Sequence, residues 1–200
     1  MKKAIAHLRQ CDPRLDELIR RAGPLRPHWH PACFETLARS IVFQQLNGRA
    51  ASTIFNRLAA ACGDEVSPET LLRLTPARMR KLGVSPQKTT YLRDLARRTA
   101  SGELDFAELP RLSDAAVIER LTVVKGVGVW TAQMFLIFAL RRPDVLPTSD
   151  YGIRVAMKNL YELPDLPKPP QMEERARPWR PWASVACLYL WRSLDGPVGV

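Results

Sequence analysis

Apolar positions along this chain recur three and four residues apart. Leu37, Ile41 and Leu46 fall near one face of a helix, and Ile54, Leu58 and Ala61 do the same. No long stretch alternates apolar and polar residues as a half-buried strand would. The pattern predicts helices near 12–22, 32–46, 48–62, 67–74, 76–82, 86–101, 113–122, 129–141, 150–161 and 180–194. Local punctuation agrees with it. Asp12-Pro13, Ser67-Pro68, Thr75-Pro76 and Ser85-Pro86 each put a capping oxygen before a proline at the first helical position, where no N–H is needed. Gly23, Gly63, Gly83 and Gly102 stand where the corresponding helices should stop. The segment 164–181 carries Pro164, Pro167, Pro169, Pro170, Pro178 and Pro181 and reads as a connection with a short helix near 170–176. The expected fold is all-α, compact and multi-helical, with short connections that make neighbouring helices antiparallel.

Composition narrows the partners. The chain has 200 residues, 46% of them hydrophobic and 25% charged, which are ordinary globular values. Its formal net charge is +10, and successive fifties carry +5, +5, −2 and +2. An excess confined to residues 1–100 favours a polyanion partner, most simply nucleic acid. The longest apolar run, Met134–Leu140, is too short to span a bilayer, and no signal core follows Met1-Lys2-Lys3. Cys11, Cys33, Cys62 and Cys187 form no CxxC pair and no compact cluster, so neither zinc nor a cysteine-held iron–sulfur centre is expected. They read as reduced thiols of a cytoplasmic protein. There is no P-loop, HExxH or GxSxG, and the three histidines all lie within residues 7–30.

The most informative segment is Leu121-Thr-Val-Val-Lys-Gly-Val-Gly-Val-Trp-Thr-Ala-Gln133. A helix enters a turn containing Gly126 and Gly128, and a second helix leaves at once. Glycines at alternate positions open turn angles closed to other residues and let another chain come close. The N–H groups at the start of the second helix make a ready phosphate site. A plain αα-hairpin with a glycine turn is the bland alternative. Asp150 lies 22 residues after Gly128, at the start of the next helix, where Asp is also an ordinary N-cap. A helix N-terminus stabilises an anion there.

Taken together, the residues resemble a known family. The hairpin string is similar to the helix-hairpin-helix motif of DNA repair glycosylases, and the entry Leu146-Pro-Thr-Ser-Asp150-Tyr151 continues the likeness. Four ordered blocks, Phe34–Leu46, Gly83–Ala96, the hairpin with Asp150, and Trp179–Trp191, resemble the DNA-3-methyladenine glycosylase II family. The resemblance implies two helical lobes flanking a DNA-binding and base-binding cleft, in one domain over 1–200 with its hairpin motif at 113–141. Only about 30 residues precede the first block, so the N-terminal β domain of the larger bacterial members is not expected.

That likeness assigns roles residue by residue. Asp150 is the catalytic carboxylate, facing the sugar of an extruded nucleotide, where an anion stabilises oxocarbenium charge and orients water. Trp130, Met134 and Trp191 line the base pocket, and an aromatic face suits a cationic methylated purine. Trp179 and Trp182 read as core. Gln44, Gln45, Leu46 and Asn47 reach into the minor groove, with Gln45 the residue matched to the plug that replaces the extruded base. Leu46 alone reads equally well as a buried helix corner. Lys125, Gly126, Gly128 and Thr131 are the hairpin's DNA-binding residues. Lys88, Arg93, Arg97 and Arg98 add to a basic face. The carbonyls of Thr122, Val124 and Val127 are implied ligands of a monovalent cation, and no cofactor is needed for catalysis.

Relatives that also cut the strand carry a lysine two residues after the second hairpin glycine, which forms a Schiff base. Trp130 stands there, and Lys125 lies inside the turn. The expected activity is therefore monofunctional hydrolysis of alkylated purines in double-stranded DNA by a monomer, leaving an abasic site. Two alternatives stay open: a non-catalytic helix-hairpin-helix binding module, and a glycosylase for 8-oxoguanine, hypoxanthine or ethenoadenine.

Overall fold

The structure, a computed structural model, describes residues 1–194. Its helices are α1 (Lys2–Cys11), α2 (Pro13–Ala22), α3 (Phe34–Phe43), α4 (Gly48–Ala61), α5 (Pro68–Arg73), α6 (Pro76–Lys81) and α7 (Pro86–Ala100). After these come α8 (Asp114–Thr122), α9 (Val129–Phe138), α10 (Tyr151–Tyr161), α11 (Pro169–Ala176) and α12 (Ala183–Arg192). No strand occurs among the described residues. The capping logic holds atom by atom. Asp12, Ser67, Thr75 and Ser85 each accept a backbone N–H two or three residues on, ahead of a proline in the first turn.

The chain divides into two compact units, one built from Met1–Trp29 with the residues from Arg141 onward, the other from His30–Leu140. In the first, α2, α10 and α12 pack together and α1 lies across α2. Leu8, Leu15, Ile153, Met157, Met172, Trp179 and Tyr189 are buried there. Each such side chain contributes about 1.5–3 kcal/mol by leaving water. Asp12 ties this unit together. Its Oδ1 accepts from the N–H groups of Arg14 and Leu15, while Oδ2 accepts from Trp179 Nε1 at 3.1 Å and from the Tyr161 hydroxyl. Trp179 is thus core, as expected, and half-buried Trp182 packs against the same cluster. In the second unit α3 packs on α4 and α7, α5 and α6 pack on α7, and α8 pairs with α9.

Several elements differ from the sequence reading, among them the end of α9, which stops at Phe138 instead of 141. Helix α1 was not expected: Met1 makes no side-chain cap, and what the helix offers the core is Ala4 and Leu8. Helix α3 stops at Phe43 instead of 46, because Gln44 is extended and Gln45 turns left-handed at φ 56°. Helix α12 starts at Ala183 instead of 180, since Arg177–Trp179 winds as a 3-10 turn.

Candidate active site and nucleic-acid interface

The two hairpin glycines do different work. Gly126 has φ 79°, and a Cβ there would sit 2.1 Å from the Tyr91 ring, so both backbone angle and space demand glycine. Gly128 has an ordinary φ of −93° as the N-cap of α9, and a Cβ there would meet nothing within 4 Å. Its bareness serves no internal contact, and it keeps the start of α9 open to another chain. The turn is anchored from α7. Asp94 Oδ2 accepts from the Lys125 N–H at 2.9 Å and from Arg98 Nε at 3.1 Å. Burial pushes the Asp94 carboxyl up, but these two donors outweigh it and hold it below its ordinary value.

The loop between α3 and α4 presents Gln45 and Leu46 outward. Leu46 is 40% exposed, which removes the buried-corner reading. Two neighbours bond within the chain. Gln44 Nε2 donates to the Gly126 carbonyl at 2.9 Å, so this side chain tethers the loop to the hairpin rather than pointing into a groove. Asn47 Oδ1 accepts from the Ala50 N–H at 2.9 Å, so this exposed side chain caps α4.

Helix α9 is apolar on every face, which fits burial on most sides. Trp130, in its first turn, is 44% exposed beside exposed Val129. Thr131 is 6% exposed, so its side chain lies inside the unit. It lines a cavity of about 210 Å³ with Met134 and Phe138 of α9 and Arg39, Ser40 and Phe43 of α3. The Arg39 guanidinium lies 3.8 Å from the centre of the Phe43 ring. The hairpin carbonyls implied as cation ligands remain backbone groups of the turn, and that of Val124 accepts the Val127 N–H at 3.0 Å.

Asp150 is the N-cap of α10 and is 8% exposed. Its Oδ1 accepts from the Ile153 N–H at 2.8 Å and from Trp191 Nε1 at 3.0 Å. Trp191, assigned as a pocket wall, therefore also aims the carboxylate, through a charge-assisted bond. Gly152 leaves room beside this pair, since a Cβ there would lie 3.1 Å from Asp150 Oδ1 and 3.3 Å from Trp191 Cδ1 and press on both. Tyr151, part of the motif that carries the resemblance, is strongly exposed beside the carboxylate, and Gly152 is a position that sequence reading gave no role. The signal for Gly152 was its place two residues after Asp150.

The expected basic face on α7 is largely spent internally. Lys88 Nζ donates to the carbonyls of Val42 and Gln44 at 2.7 and 2.6 Å. Arg93 donates to the Leu74 carbonyl at 2.8 Å, and Arg98 pairs with Asp94 and Glu103. Of the four, only Arg97 is exposed.

The chain is similar to known proteins. The chain is 35% identical over 199 residues to DNA-3-methyladenine glycosylase 1 of Schizosaccharomyces pombe, covering 96% of this chain and 87% of that one. It is 34% identical over 169 residues to the Bacillus subtilis protein YfjP, covering 81% of this chain but 59% of that longer protein. Among solved structures, a Schizosaccharomyces pombe 3-methyladenine DNA glycosylase bound to abasic DNA matches with TM-score 0.86 and 34% identity, over 96% of this chain and 97% of that one. A DNA-3-methyladenine glycosidase from Bacillus halodurans matches with TM-score 0.86 and 38% identity, over 95% and 88%. Helical fold and matches together define the class, a base excision DNA repair protein. Residues 38–181 match the family model of the HhH-GPD superfamily of base excision DNA repair proteins, and the chain belongs to that superfamily.

Proposed function

We propose that this protein is a monofunctional DNA glycosylase that hydrolyses the N-glycosidic bond of alkylated purines such as 3-methyladenine and 7-methylguanine. The observation that carries the reading is Asp150, a carboxylate held on one oxygen by the Ile153 N–H and the Trp191 indole. Breaking the bond builds positive charge on the deoxyribose, and a fixed anion stabilises it and orients the attacking water. A purine methylated at N3 or N7 is already cationic, so it leaves without protonation by the enzyme. The indole faces of Trp130 and of Trp191 each suit a cationic base through stacking and cation–π attraction. Trp130 occupies the position at which a lyase carries its lysine, so the product is an abasic site in an uncut strand.

The substrate is double-stranded DNA carrying the lesion, gripped at the hairpin by the N–H groups at the start of α9. Neutral carbonyls at Thr122, Val124 and Val127 suit an alkali cation, since oxygen donors are what such a hard ion takes. Val124 keeps a second lone pair beside its bond from Val127. The cation would screen phosphate charge there. The protein works as a monomer in the cytoplasm, on the nucleoid. Free cysteines at 11, 33, 62 and 187 support a reducing compartment, and no helix among the described residues is long and apolar enough to cross a membrane.

The test is release of free base from duplex DNA carrying 7-methylguanine or 3-methyladenine. Wild type releases base, and Asp150→Asn does not, while DNA affinity is retained. Asn is as good an N-cap as Asp, so the fold is preserved. No release from either lesion overturns the reading.

A further inference from the structure

The loop carrying Gln45 is an unusual piece of backbone. Gln45 is neither glycine nor asparagine, yet φ is 56°, a left-handed angle that persists only where the surroundings over-determine it. It follows the end of α3, where the last carbonyls of a helix lack partners. Two carbonyls just before it in sequence, Val42 and Gln44, receive the same ammonium, Lys88 Nζ, at 2.7 and 2.6 Å. The Leu46 N–H closes back on the Phe43 carbonyl at 3.3 Å, and the Gln44 amide holds the Gly126 carbonyl at 2.9 Å. Every one of these bonds is to backbone on one side, so together they fix the path of the loop while the Gln45 side chain stays exposed.

Lys88 is badly placed for its own helix. It is the third residue of α7, where a positive charge opposes the helix dipole, and its partial burial costs solvation and lowers the ammonium's pKa. What it serves is the C-terminal end of α3, where a cation is favoured. Further along the same stripe of α7, Tyr91 backs Gly126 and Asp94 holds the Lys125 N–H. One helix thus holds both the loop and the hairpin turn.

We propose that Lys88 is a positioning residue for base extrusion: its ammonium clamps the Val42 and Gln44 carbonyls and presets the left-handed Gln45 whose side chain takes the place of the extruded base. The inference rests on the glycosylase reading given above. Lys88 does not touch the DNA. It acts through backbone, so its contribution falls on opening the duplex and not on breaking the bond. A preset plug enters at once, whereas a loop free to sample other angles loses part of each encounter.

The experiment compares Lys88→Met with wild type on 7-methylguanine placed either in a fully paired duplex or in an unpaired bubble. Single-turnover release from the paired duplex should fall about tenfold, and release from the bubble should change less than about twofold. Lys88→Arg keeps charge and two donors and should stay within about threefold of wild type on both. Combining Lys88→Met with Gln45→Ala should cost no more than Gln45→Ala alone. A second readout needs no chemistry: 2-aminopurine fluorescence beside an abasic analogue reports opening of the duplex on binding, and Lys88→Met should reduce it at saturating protein. Equal loss on duplex and bubble, additive losses, unchanged 2-aminopurine signal, or a tenfold drop for Lys88→Arg would each overturn the clamp. A wild type that opens the duplex but releases no base overturns the glycosylase reading while the clamp stands. A wild type that does neither overturns both.

Discussion

Trp191 donates its indole N–H to Oδ1 of Asp150 at 3.0 Å, across 41 residues of sequence. The same oxygen closes the first turn of α10 through Ile153, so two donors from separate segments fix its direction. Trp191→Phe keeps an aromatic face and removes the bond. A hydrogen bond to a charged group is worth about 1.5–3 kcal/mol. Base release should therefore fall about tenfold to a hundredfold, with DNA affinity by fluorescence anisotropy nearly unchanged. Equal activity of Trp191→Phe and wild type would show that the indole only stacks.

The hairpin glycines make a paired prediction. Gly126→Ala forces a side chain into the Tyr91 ring from a positive φ and should cost about 2–5 kcal/mol in denaturant unfolding. Gly128→Ala meets open space and should cost about 1 kcal/mol or less, yet weaken DNA binding clearly. If Gly128→Ala bound DNA like wild type, the phosphate site at the start of α9 would be misplaced.

Acid should loosen the hairpin through Asp94. Its carboxyl is held below the ordinary value of 3.8, so its stabilisation is complete above that value and is lost as pH falls through the lower folded one. The thermal midpoint of wild type should exceed that of Asp94→Asn at neutral pH, and the gap should shrink below about pH 3.8. A gap independent of pH would mean that the charge of Asp94 contributes nothing.

The reaction class has its own check. Borohydride trapping with lesion-containing duplex should give no covalent protein–DNA adduct, because position 130 offers an indole where a lyase needs an amine. A trapped adduct would place the protein among the bifunctional enzymes.

What was legible in the sequence was local. A cap and its N–H lie three residues apart, so Ser67, Thr75 and Ser85 announced their helices. The distant pairings were silent. Lys88 reads in the sequence as part of a basic face, because its partners lie 44 and 46 residues away. The same pairing accompanies the early stop of α3, which the apolar pattern carried on to Leu46. Arg93 and Arg98 were misjudged for the same reason, since a charge count records sign and not partner. Asp150 was found through its neighbours in sequence, but the donor that aims it sits 41 residues downstream.

The make-up of the unit around Asp12 has a consequence for synthesis. Its helices α1 and α2 are made before α10–α12, but much of the cluster that buries Leu8 and Leu15, and the side chains that complete the bonds of Asp12, belong to residues after 140. The unit of His30–Leu140 is continuous and can condense as it emerges. The opening helices must wait for nearly the whole chain, carrying unsatisfied apolar faces through translation. Slow elongation therefore leaves α1 and α2 exposed for longest, and a truncation before α10 strands them without most of their core.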